Sequence, residues 1–141
     1  MADKIDTLKN LRKIARHKVD EVQKELAQTL ATMTHLADKI SHLESCIEKE
    51  EVAAADDLAM RGHFERFEKR TRDEIKKLED EIRTLRQHEA HLRAQLAEHF
   101  AEEKRYQILL ERKQQELQKE QAKKTQAQLD EIAAVRQENQ D

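Results

Sequence analysis

The chain has 141 residues, 40% of them charged and 3% aromatic, with one glycine and no proline. Ordinary domains are about a quarter charged, so this composition excludes a globule with a deep interior, and with it a dry catalytic cavity. The net charge of -3 comes from 27 basic and 30 acidic residues mixed along the chain, which leaves no sustained basic stripe for a nucleic acid backbone.

Without proline and with a single glycine, a sequence rich in Ala, Glu, Lys, Leu, Arg and Gln runs on as helix. Asp3 or Asp6 suits the start of the first one. From Ile5 to Ile47, 11 of 13 positions spaced alternately three and four residues apart are apolar, the exceptions being Arg12 and Thr29. This is the a/d seam of a left-handed coiled coil, about 65 Å long, and it needs a partner helix to cover it. The pattern fails after Glu48, Glu50 and Glu51. We expect helix one over about 4–53, a reversal within about 54–62 that uses the only glycine, Gly62, and Asp56 or Asp57 at the start of helix two.

Helix two is expected over about 63–136. Its seam passes through Phe64, Thr71, Ile75, Leu78, Ile82, Leu85, Glu89, Leu92 and Leu96, then through His99 or Phe100, Tyr106 and Leu110 to Leu117. Beyond Gln118 only alanines are apolar until Leu129, Ile132 and Val135. The fold class is therefore all-α, an antiparallel two-helix coiled-coil hairpin in one domain with a long overhanging C-terminal helix. An antiparallel register with partner numbers adding to about 118 sets Leu26 against Leu92, Met33 against Leu85 and Leu8 against Leu110, and brings Arg12 close to Glu103 and Tyr106. It also opposes the two least suitable seam residues, Thr29 and Glu89, as a register pin. One heptad away, Glu89 would lie against Val22, which costs more. In this register Met1 is level with Leu117. The chain reverses near residue 59, and the overhang is either frayed or awaiting a partner.

Chemistry-bearing motifs are scarce. Among seven histidines, His88 and His91 are the closest pair, but neither the Glu-x-x-His of di-iron bundles nor the His-Glu-x-x-His of zinc proteases is present. No metal, cofactor or catalytic residue is expected. The lone Cys46 excludes an intramolecular disulfide, and no basic cluster activates its thiol. The opening MADKIDTLKN lacks a secretory core, and no run approaches the ~20 apolar residues that span a bilayer, so a cytoplasmic chain is expected. Phe64 lies on the seam, whereas Phe67, one step off it, either completes a cap with Ile47 and Leu43 or anchors a partner. The basic run Arg61 to Lys77 fits a solvated face better than a docking patch. Leu11, Ile14 and Leu30 lie beside the main stripe, so a four-helix association through them stays open.

The stretches DTLKNLRKIARHKVDEVQKELAQ (6–28), Phe64-Glu-Arg-Phe67 and YQILLERKQQELQKEQAKKTQAQLDEIA (106–133) resemble the flagellar export protein family FliJ and its injectisome counterparts of the YscO type. The resemblance implies a non-enzymatic stalk of the type III export apparatus, similar to the central stalk of rotary ATPases. Its partners would be a hexameric export ATPase, whose assembly and activity it promotes, the membrane export gate protein, and export chaperones. Its location would be cytoplasmic, at the periphery of the membrane apparatus. Gate-contacting positions carried over by the resemblance are Leu36, Ile40, Leu43, Ile47, Phe67, Thr71 and Leu78. By analogy with rotary stalks, Leu8, Arg12, Leu110, Leu117, Leu129 and Ile132 would meet the ATPase ring. The competing reading is a generic coiled-coil scaffold or dimerisation rod without an export role.

Overall fold

The computed structural model describes residues 2–140 and contains two helices, α1 (Ala2–Ala54) and α2 (Leu58–Gln140). The protein is an all-α two-helix hairpin. Met1, expected level with Leu117, lies outside the described residues. The Thr7 hydroxyl donates to the Asp3 carbonyl at 2.8 Å in the first turns of α1.

The reversal is shorter than the sequence suggests. Only residues 55–57 separate the helices, instead of a segment over 54–62 centred near 59. The reason is Asp57. Its carboxylate accepts from the Ala59 N–H at 3.0 Å and its carbonyl accepts from the Arg61 N–H at 3.0 Å, so it caps α2 and starts the first turn itself. The Arg61 guanidinium donates to the Ala55 carbonyl at 3.2 Å, an acceptor freed by the turn. Gly62 therefore has no part in the reversal: it lies inside α2, no glycine has positive φ among the described residues, and a Cβ built on it meets nothing within 4 Å.

By its packing the chain divides into two units, with boundaries between Val19 and Asp20 and between Ala97 and Glu98. The first joins α1 through Val19 to α2 from Glu98. Ile5, Ala15, Val19 and Leu110 are buried in it, and Leu8, Arg12, His99, Glu103, Tyr106 and Leu117 are half-buried. The half-buried His99 and the more exposed Phe100 settle which of the two continues the seam. The segments run antiparallel: Arg16 pairs with Glu103 at 3.6 Å, while Lys4 and Leu8 share a groove with Leu109 and Lys113. From residue 118 to residue 140 every position of α2 is exposed. Helix propensity, not packing, holds that stretch.

The second unit contains the reversal. Val22, Leu26 and Leu92 form a buried cluster with Leu96 packed against it, the pairing of the register that sets Leu26 opposite Leu92. Leu36, Ile47, Ala54, Thr71 and Ile75 are buried further along, and Met33, Ile40, Leu43, Phe64, Leu78, Ile82 and Leu85 are half-buried. The two residues of the expected register pin each find a partner on their own helix. The Thr29 hydroxyl donates to the Glu25 carbonyl at 2.9 Å, and the Glu89 carboxylate pairs with Arg93 at 3.5 Å. Across the helices, His88 reaches Glu25 at 3.1 Å.

Candidate partner-binding surfaces

Near the reversal, the side chains carried over for gate contact are mostly under cover. Leu36, Ile47 and Thr71 are buried, and Ile40, Leu43, Leu78 and Phe67 are half-buried. Seam packing explains this: six of the seven occupy a/d positions, so each covers the facing helix. Phe67, one step off the seam, shows part of its ring. Phe64 lines a cavity of about 340 Å³ with Ala54, Ala55 and Arg61. Leu36 and Leu85 border a shallow cleft of about 600 Å³ whose rim carries Lys77, Asp80 and Glu81.

The apolar side chains that do face solvent near the reversal are not singled out by the seam. Val52 is 79% exposed, Leu58 87% and Met60 45%. Burial of a/d positions draws attention to the stripe and away from them, although each sits where no seam position needs an apolar residue. That misplacement is the signal in the sequence that marks them.

In the first unit, Leu110 is buried, Leu8, Arg12 and Leu117 are half-buried, and Leu129 and Ile132 are exposed together with Val135. Two clefts lie between the helices of this unit. One, of about 380 Å³, lies by Leu8, Thr7 and Leu109 and is largely apolar. The other, of about 790 Å³, has Lys9, Arg12, Lys13 and Arg16 along α1 and Glu103, Gln107, Leu110, Glu111 and Gln114 along α2. Four cations against two carboxylates give it a positive field that acidic side chains would find. Ile108, Leu109 and Phe100 are further exposed apolar groups that seam reasoning passes over.

No group of three or more His, Cys, Asp or Glu side chains among the described residues is placed to hold a metal ion. His42 Nε2 lies 3.7 Å from Cys46 Sγ along one helix face, and no third donor among the described residues joins them. Among the described residues no helix is long and apolar enough to cross a membrane.

A family model described as Flagellar FliJ protein matches residues 4–140. No curated protein and no solved structure matches the chain.

Proposed function

Because the chain belongs to the flagellar FliJ family, a component of the flagellar export apparatus, we propose that it is a stalk and coupling protein of that apparatus. In this reading it promotes hexamer formation and turnover by the export ATPase and connects the ATPase to the membrane export gate. It also handles free export chaperones, and it catalyses no reaction of its own. It works in the cytoplasm at the periphery of the membrane apparatus.

The observation that carries the reading is the fully exposed end of α2. A helix of 23 residues from 118 to 140 with no intramolecular cover is suited to enter a ring, and Leu129 and Ile132 supply modest apolar contact on it. Leu8, Arg12, Leu110 and Leu117 would support its base. A largely polar shaft slides against hydrogen-bonding walls without the deep anchoring that would hold it in one position. Near the reversal, Phe67 would touch the gate protein directly, whereas Leu36, Ile40, Leu43, Ile47, Thr71 and Leu78 would act from beneath by fixing the helix faces around it.

Mixing the purified chain with its cognate export ATPase tests this. Stimulated turnover and ring formation are the expected results. Indifference of the ATPase would leave the generic scaffold as the better account.

A further inference from the structure

We propose that the exposed end of α2 has a specific cover in the free protein, namely the same stretch of a second copy, packed antiparallel across a two-fold axis. The observation is a strip without charge on a strongly charged chain. Successive helical residues are turned by about 100°. On that spacing Gln114, Gln118, Gln121, Thr125, Gln128, Leu129 and Ile132 fall on one face, while Lys119, Glu120, Lys123 and Asp130 fall on the other half of the helix. The residues from 118 to 140 are all exposed. A solvated helix surface needs no such segregation; a helix that packs on another does, because bringing unpaired charges into a contact is costly. The Thr125 hydroxyl already donates to the Gln121 carbonyl at 2.9 Å, so its methyl group is available for packing. Glutamines facing glutamines pair amide to amide, donor to acceptor.

Charge at the two ends of the strip identifies the occupant. At its beginning the strip meets the cationic cleft, since Gln114 lines that cleft together with Lys9, Arg12, Lys13 and Arg16 of α1. At its end the balance is reversed: Glu131 and Glu138 flank the strip with a single Arg136. Antiparallel pairing of two copies brings the acidic end of each alongside the cationic cleft of the other. Gln121 then faces the copy's Thr125, Gln114 its Ile132, and Glu111 comes beside its Arg136. A two-fold axis makes every one of these contacts twice, over a helix pair ~40 Å long. Both complementary elements lie in the same unit of the chain, so a single contact engages both.

Sedimentation equilibrium on the full chain, without ATPase, is the test, so its outcome is independent of the export reading. A dimer is expected at tens of micromolar; a monomer throughout that range overturns the proposal. Gln121→Glu with Thr125→Glu, which puts carboxylates in the strip, should weaken the dimer at least about a hundredfold. Lys119→Gln with Lys123→Gln, on the opposite face, should change it by less than about threefold, and circular dichroism on both pairs should show unchanged helix content. A dimer insensitive to the first pair overturns the proposal. For orientation, in a Cys46→Ser background, Gln121→Cys mixed with Thr125→Cys should crosslink faster than either variant alone. Fastest crosslinking of Thr125→Cys with itself would mean a parallel pair, which overturns the antiparallel arrangement.

Discussion

Two residues show how far local chemistry departs from the expectations that composition raises. Gly62 is the obvious candidate for a chain reversal, yet it occupies an ordinary helical position with open space where a side chain would be. Gly62→Ala should therefore stabilise the protein by about 1 kcal/mol, because it removes unfolded-state freedom without a clash; thermal melts compare the two. Loss of stability would mean that the position needs its missing side chain. Glu89 is the converse case, a carboxylate kept on the seam and paired with Arg93. Its cost is bearable because its side chain is 21% exposed. As the register pin we propose, it should be exchangeable for stability at the expense of uniqueness. Glu89→Leu with Thr29→Leu should raise stability by about 1 kcal/mol. The same variant should let disulfides form one heptad out of register, between Met33→Cys and a cysteine seven residues from Leu85. Without these leucines, in a Cys46→Ser background, Met33→Cys should crosslink only with Leu85→Cys.

At the level of the helix, packing and propensity divide α2 into two kinds of backbone. From Phe64 to Leu117 every a/d position has at least partial cover, and beyond Leu117 none has. Deleting residues from Gln118 onward should thus leave the melting temperature of the hairpin within a few degrees, since little apolar area is lost. Stimulation of the export ATPase should fall severalfold with the same deletion. A large drop in melting temperature at low micromolar concentration, below the range of the proposed dimer, would show that the segment packs on its own chain and would remove the basis for placing it in a ring. The helices themselves are legible from the seam, because a seven-residue period with no proline admits few alternatives. Their junction is not, since a glycine and two neighbouring aspartates offer competing caps, and only the hydrogen bond from Ala59 to Asp57 decides between them.

For the molecule as a whole, family membership and the two-helix hairpin are both within reach of the sequence, as the family match over residues 4–140 and the two helices indicate. The partner surfaces are less so. Seam reasoning finds side chains that hold helices to each other, and the positions matched by resemblance include Leu36, Ile47 and Thr71, which the hairpin itself covers. The exposed apolar and charged surface lies off the seam, at Val52, Leu58 and Met60 and in the cationic cleft. Nothing in a heptad count ranks those positions. Phe67 stands out because it breaks the pattern, and such departures are the better guide to function in a chain of this type.

The uncovered end of α2 also bears on the lifetime of the protein in a cell. Helix without tertiary cover opens locally at little free-energy cost, and Lys119, Lys123 and Lys124 lie in the open stretch. A protease would sever it there while the rest of the hairpin stayed intact. Any occupant of that helix would shield it, a second copy included, so paired or assembled molecules would outlast lone ones. Turnover would then fall on the protein at concentrations too low for it to pair and where no assembly holds it.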